Sequence, residues 1–282
     1  MVMILTTEKN SLRFYQGDID NYEMPTEMDK IKYSTSFYKT EKAYNLLNML
    51  LYPEMDNEYA RIWQEGKKIP IPLLRNMEEL LAVYENIFSL MCKSSLVDQN
   101  KMFYVYRKDR MQSMEMLEAG YTFGFTSCSL ADESDPYFIK KKAGILLLEV
   151  VIPGHIPHIC VNEILGKNKF SAQEEVLLPP FVHFEKEQMD FTEKEQLYRD
   201  INNEVPKAKY LLKMSHMDLE EQKGTLEKIV KNAEMAEDIL YHFEQDYKIT
   251  QEEYSCYCQW KAEIYNYVRN RFSEIHKKIK EV

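Results

Sequence analysis

The chain has 282 residues, enough for one large domain or two small ones, and its 45% apolar content allows a sizeable core. Its 36 basic and 46 acidic side chains give a net charge of −10, which disfavours nucleic acid as the main partner. No apolar run reaches the roughly 18 residues of a membrane span. Five scattered cysteines favour a reducing compartment over a disulfide framework, and the lone pair Cys256 and Cys258 predicts no zinc site.

The first hundred residues are mainly helical in pattern. A short strand-like piece is predicted at residues 12–15, and apolar residues at helical spacing follow from Thr40. Pro72 stands where a first-turn proline would, ahead of a second helix over residues 73–91. The apolar face of this second helix is wide, so we expect it to be well buried.

Between about residues 101 and 190 the pattern changes to strands. Five segments are rich in aromatic and branched residues and lie between Gly, Pro or Asp clusters, namely 102–106, 121–125, 144–152, 176–178 and 181–184. One short helical pattern intervenes at 111–119. Strands in succession after a helical segment predict an α+β fold with a mixed or mostly antiparallel sheet.

After about residue 192 the chain becomes helical in pattern and highly charged. A heptad seam runs from Leu226 to Tyr247, and Thr250 with Glu253 predicts a capping box for a second long helix. We therefore predict a domain of residues 1–190 followed by a helical hairpin over 191–282. Because such a hairpin cannot bury its seam alone, it should pack on the rest of the chain, on a second copy, or on a dedicated partner.

Polar side chains on two of the predicted strands are candidates for a binding site. Arg107 closes the strand 102–106, where its guanidinium can present a fork of donors to a phosphate or carboxylate. An ordinary surface salt bridge is the alternative. Ser127 and Ser129 follow an aromatic segment, where their hydroxyls can orient a carboxylate or line a ligand, although serines are also frequent in plain edge strands.

The third feature is the segment 173–175, which leads into an apolar strand. Gln173 and Glu175 are at i and i+2, so they share one strand face while Glu174 points away. An amide and a carboxylate on one face indicate a site, although charges at the start of a half-buried strand are common.

In this order the three features resemble the signature of the ADP-ribosyltransferases of the Arg–Ser–Glu class. The family pattern is an aromatic strand ending in Arg, a Phe-x-Ser-Thr-Ser strand, and Gln/Glu-x-Glu leading into a Leu-Leu-Pro-like strand. Residues 104–107, 124–129 and 173–179 match it, within a stretch of roughly residues 100–185. The departure is Cys128, where the family usually has Thr. The resemblance implies a β-sandwich core at 101–190 behind a helical layer at 1–100.

The resemblance also implies a mono-ADP-ribosyltransferase, a glycosyltransferase-class enzyme that uses NAD as substrate and needs no metal. Glu175 would bind the ribose hydroxyl and stabilise the positive charge that develops as the bond to nicotinamide breaks. Ser127 would hold Glu175 in place. Arg107 would bind the NAD phosphates, with Ser127 and Ser129 beside them. Tyr137 or Phe138 could lie against nicotinamide, or could simply pack in the core.

Gln173 bears on the acceptor. Family members that modify arginine usually carry Glu at this position, whereas an amide cannot act as a base. Gln173, with an aromatic residue three positions earlier at Phe170, resembles the asparagine-modifying, Rho-directed exoenzymes. The resemblance implies a protein acceptor that is not modified on arginine, recognised by a loop at 166–171. The alternative for Phe170 is a ring tucked under its own loop.

Two other functions remain open on the same scaffold. One is an NAD glycohydrolase, with water as the acceptor. The other is a catalytically inactive relative whose C-terminal helices bind a partner. The N-terminal residues lack the basic start and long apolar core of a signal peptide. We therefore expect a cytoplasmic protein, or a toxin-like protein exported without a cleavable signal.

Overall fold

The computed structural model describes residues 3–16, 47–48, 50–51, 77–109, 113–130, 146–166, 174–193, 195, 208–220, 225–244 and 249–281. The helices in these ranges are α1 (Thr6–Gln16), α2 (Met77–Asp98), α3 (Ser113–Ala119), α4 (Val161–Leu165), α5 (Leu226–Glu244) and α6 (Gln251–Lys280). The strands are β1 (Met102–Asp109), β2 (Thr126–Ser129), β3 (Leu146–Pro153), β4 (Ile159–Cys160), β5 (Glu175–Leu178), β6 (Val182–Met189) and β7 (Ala208–Met217). The chain divides into two compact units, residues 91–218 and residues 1–90 with 219–282.

The unit of residues 91–218 is built on a seven-stranded sheet in the order β4-β5-β2-β1-β3-β7-β6. Neighbouring strands are antiparallel except β3 and β7, which are parallel. The predicted α+β class with a mixed, mostly antiparallel sheet is confirmed. Hydrogen bonds join the described strands into one sheet, where the resemblance implied a β-sandwich. β1 is near its centre and pairs with β3 over its whole length.

The predicted strand at 121–125 is wrong for most of its length. Tyr121 makes only an isolated bridge, to His183, and the strand begins at Thr126. Thr122 instead ties this segment to the turn before β6: its amide donates to the Val182 carbonyl (2.9 Å) and its hydroxyl to the Pro179 carbonyl (2.9 Å). The Thr122 hydroxyl also accepts from the Val182 amide (3.0 Å), so a side chain takes the place that a backbone carbonyl has in a regular ladder.

β7 was also missed, since a helical pattern was predicted from about residue 192. Its buried Leu212 and Met214 alternate with the exposed Lys213 and Ser215, which is the period of a half-buried strand. β7 lies between β3 and β6, so the sheet extends past residue 190. By its internal contacts the chain divides after residue 218, on the C-terminal side of β7, and the domain boundary at 190 stays a prediction.

In the other unit, the predicted strand at 12–15 is part of helix α1. Buried Ser11, Leu12 and Tyr15 recur at helical spacing, so burial on one helix face overrides the strand preference of the aromatic residues. Glu8 of the same helix is buried and accepts hydrogen bonds from the Leu5 amide (2.9 Å) and from the hydroxyl of a serine on α2 (2.7 Å).

Helices α5 and α6 are present as expected and pack on each other. The predicted capping box at Thr250 and Glu253 is confirmed, with side-chain bonds in both directions. The Trp260 indole donates to the Ile229 carbonyl (3.3 Å), and Asn232 on α5 donates from its amide to a glutamate on α6 (3.0 Å).

Helix α6 also packs on the part of α2 that lies in its unit. The rings of Phe88 and Phe272 are stacked with centroids 3.9 Å apart, and the Arg271 guanidinium binds both carboxylate oxygens of Glu85 (2.9 and 3.0 Å). Intramolecular packing therefore covers part of the C-terminal helices. The helical layer that the sequence assigned to the sheet domain instead groups, up to residue 90, with α5 and α6.

Within the described residues, α2 is the one helix long and apolar enough to cross a membrane, with a mean hydropathy of 1.2 over an 18-residue window. Of that window, 56% is buried inside the fold. Core helices pass the same test of length and composition, so this is weak evidence for a span.

Candidate active site

Glu175, Ser129 and Tyr106 form a straight row across the adjacent strands β5, β2 and β1. Glu175 is directly opposite Ser129, and Ser129 is directly opposite Tyr106. Opposite residues of antiparallel strands project to the same face. The carboxylate, the hydroxyl and the phenol therefore share one face of the sheet.

Glu175 occupies the first position of β5 and is only 8% exposed. The residue before it, Glu174, has a positive φ of 44° and is exposed, and its carbonyl accepts a hydrogen bond from the Leu130 amide (3.0 Å). The left-handed conformation redirects the chain between the two glutamates. Because Glu174 is not extended and lies before the first residue of β5, the strand alternation expected over 173–175 does not hold at Glu174, and the shared face of Gln173 and Glu175 stays a prediction.

The register gives the two serines of β2 different positions relative to Glu175. Ser129 is its direct cross-strand partner, whereas Ser127 is opposite Leu177. Directly opposite residues have Cβ atoms about 5 Å apart and diagonal neighbours about 7–8 Å. Ser127, which the resemblance assigned to hold Glu175, is on the same face but in the diagonal position. The structure makes Ser129 the better placed of the two.

Arg107 leaves β1 on the opposite face, because Tyr106 is the residue that pairs with Ser129. Its guanidinium nevertheless reaches β2, donating to the carbonyl of Ser127 (2.7 Å) and forming an ion pair with Asp109 (2.5 Å). These bonds hold the cation at the junction of β1 and β2. Asp109 was missed in the sequence, although its i+2 spacing from Arg107 places both side chains on one strand face.

Cys128 lies between the two serines and is buried. Burial raises the pKa of its thiol to about 12; the Arg107 charge opposes this rise, and Asp109 and Glu175 add to it. A thiol with such a pKa stays protonated near neutral pH and is a poor nucleophile. Cys128 therefore acts as a small apolar side chain in the position where the resembled family usually has Thr.

Four predicted site residues lie outside the described residues, namely Tyr137, Phe138, Phe170 and Gln173. Of the predicted acceptor loop at 166–171, the structure describes Gly166 alone. Across the part of the chain that the structure describes, no group of three or more His, Cys, Asp or Glu side chains could hold a metal ion.

No family model matches this sequence, and no curated protein matches it. Among solved structures, the chain is similar to Plx2a, an ADP-ribosyltransferase toxin from Paenibacillus larvae, at 13% sequence identity and a TM-score of 0.35. The similarity covers 77% of this chain and 100% of that chain.

Proposed function

We propose that this chain transfers ADP-ribose from NAD to a protein acceptor. In that reaction the bond between the nicotinamide nitrogen and the ribose carbon breaks, and nicotinamide leaves with the bonding electrons. The acceptor nucleophile then bonds to the same ribose carbon and loses a proton. An ionised carboxylate beside the ribose stabilises the oxocarbenium-like charge.

The observation that carries the proposal is the row formed by Glu175 and Ser129. It supplies a largely buried carboxylate with a hydroxyl directly opposite, on strands that also carry the other motif residues. A carboxylate in a site with little water interacts more strongly with a developing positive charge than it would in bulk water. Ser129 can donate a hydrogen bond to the carboxylate and so fix its orientation.

Arg107 does not join this row. Its guanidinium is at the β1–β2 junction and exposes about a quarter of its side chain, but Arg107 projects to the sheet face opposite Glu175 and Ser129. The phosphate-binding role that the resemblance implies for Arg107 therefore stays a prediction. The acceptor assignment, a side chain other than arginine, rests on Gln173 and Phe170 and on the resemblance alone.

The test compares Glu175→Gln with Glu174→Gln, which removes a neighbouring exposed carboxylate. The two variants and the unmodified protein are incubated with labelled NAD and a cell lysate, and labelled proteins are identified by mass spectrometry. We expect Glu175→Gln to lose transfer and nicotinamide release, and Glu174→Gln to retain both. Full turnover by Glu175→Gln would refute the proposal.

Gln173→Ala separates transfer from hydrolysis. If Gln173 positions the acceptor, this variant loses protein labelling but still releases free ADP-ribose slowly. Release of free ADP-ribose by the unmodified protein, equal with and without lysate, would instead identify an NAD glycohydrolase. Failure to bind NAD in a calorimetric titration would identify an inactive relative.

A further inference from the structure

The row of residues on the sheet face continues beyond Tyr106. Glu149 on β3 is directly opposite Tyr106, so Glu175, Ser129, Tyr106 and Glu149 are in register across four adjacent strands. The face is open along β1, since Tyr104, two residues before Tyr106 and on the same face, is 61% exposed. Two carboxylates therefore mark the ends of a row whose middle is a hydroxyl and a phenol.

Glu149 belongs to a cluster of charges around Lys209, a residue that is 1% exposed. The Lys209 ammonium lies 2.7 Å from Oε1 of Glu149 and 2.8 Å from Oε1 of Glu195. Burying the charges of Lys209, Glu149 and Glu195 costs solvation energy. Replacing a buried ion cluster by apolar side chains of similar size often leaves a protein equally stable or more stable.

The two carboxylates of the cluster differ in their access to solvent. The Glu195 side chain is 9% exposed and that of Glu149 is 25% exposed. Lys209 itself is too buried to reach a ligand. Glu149 is therefore the member that can contact a molecule on the sheet face, with Lys209 fixing its orientation through Oε1.

We propose that Glu149 binds the hydroxyl groups of the second ribose of NAD, the one attached to adenine. This inference rests on the proposed function, in which Glu175 binds the nicotinamide ribose. Three strand spacings separate Glu175 from Glu149, about 14 Å between Cα atoms at about 4.8 Å per spacing. The pyrophosphate of a dinucleotide holds its two riboses apart, so a second ribose belongs several strands away rather than beside the first.

The chemistry of a carboxylate fits this role. It accepts hydrogen bonds from two neighbouring hydroxyls and makes strong ones because it is charged. The same charge repels a phosphate on the 2′-oxygen, which is how a carboxylate selects NAD over NADP in other dinucleotide sites. Glu149 is thus a determinant of specificity for the dinucleotide.

The experiment measures nicotinamide release from NAD and from NADP by the full chain and by two variants. Glu149→Gln and Glu195→Gln each remove one carboxylate from Lys209, so they disturb the cluster in a matched way. We expect Glu149→Gln to raise KM for NAD about 10- to 100-fold, as for loss of a hydrogen bond to a charged group, and to reduce the preference for NAD over NADP. Glu195→Gln should leave that preference unchanged.

A second measurement changes the substrate. NAD that lacks the 2′-hydroxyl on its adenosine ribose should have a raised KM with the unmodified protein, and should be treated like NAD by Glu149→Gln. If the unmodified protein uses NAD and this analogue equally well, the inference is overturned while the proposed function stays intact. The same holds if Glu149→Gln and Glu195→Gln change the preference for NAD over NADP equally. Absence of any NAD binding or turnover in the unmodified protein overturns both.

Discussion

Ser129 and Glu175 are directly opposite each other on β2 and β5, while Ser127 is opposite Leu177. This register decides which hydroxyl can orient the carboxylate. The family motif assigns Ser127, the first of the two serines, as the partner of Glu175. In the structure Ser129, the second serine, is directly opposite Glu175.

Ser129→Ala should therefore impair NAD cleavage more than Ser127→Ala. Loss of a hydrogen bond to a charged group costs about 1.5–3 kcal/mol, so we expect kcat to fall about 10- to 100-fold in Ser129→Ala and less in Ser127→Ala. Steady-state rates of nicotinamide release measure the difference. The opposite order would return the role to Ser127.

Cys128 should resist alkylation in the folded protein. Burial raises the pKa of its thiol to about 12, so almost no thiolate forms at pH 8. Cys256 and Cys258 are less buried and should react first with iodoacetamide. Peptide mapping after timed alkylation checks this order, and modification of Cys128 at the rate of Cys256 would contradict it. Denaturant should make all five cysteines reactive.

Lys261 should make the stability of its unit depend on pH. Its side chain is 1% exposed, and burial lowers its pKa from 10.5 to about 7, with Cys258 opposing the shift. Between about pH 7 and 10.5 the unfolded chain binds a proton that the folded chain does not, so this residue makes the free energy of unfolding rise with pH. Below about pH 7 both states are protonated and its contribution is constant.

Lys261→Met should remove that slope and stabilise the protein at pH 7. Each pKa unit corresponds to about 1.4 kcal/mol, so the shift can account for a few kcal/mol across the window. Urea unfolding of both proteins between pH 6 and 9 measures the difference. An identical pH dependence in the two would show that Lys261 does not carry the effect.

Gly154→Ala should be strongly destabilising although its φ is not in the left-handed region. A Cβ at Gly154 would lie 1.9 Å from the Asp98 carbonyl oxygen and 2.8 Å from that of Lys101, and both are backbone atoms. We expect a loss of about 1–3 kcal/mol or more. Gly166→Ala is the comparison: a Cβ there meets open space, but the backbone at φ 71° and ψ −162° is one that essentially only glycine adopts, so this variant should lose about 1–3 kcal/mol through backbone strain alone. Thermal melting of both variants measures the two losses.

Sequence patterns predicted the elements whose signal is local. Helix α6 and the strands β1 and β3 appear close to their predicted bounds, and α2 is present but extends seven residues past its predicted end at residue 91. The predictions at 12–15 and 208–217 were wrong for different reasons: four residues are too few to establish a period, and the two-residue alternation at 212–215 was overlooked within a charged segment taken as helical. Packing decided both: burial of Leu12 on a helix face, and pairing of β7 with β3 and β6.

For the site, the sequence by itself determined which residue types are present and in what order: an arginine, two serines and a glutamate ahead of apolar strands. Only the tertiary structure decided their partners, because register and strand order join residues far apart in the chain. It placed Ser129 rather than Ser127 opposite Glu175, turned Arg107 onto the other face, and aligned Glu149 with the row. A shift of one residue in any of these ladders would have reversed the faces, and no motif records that shift.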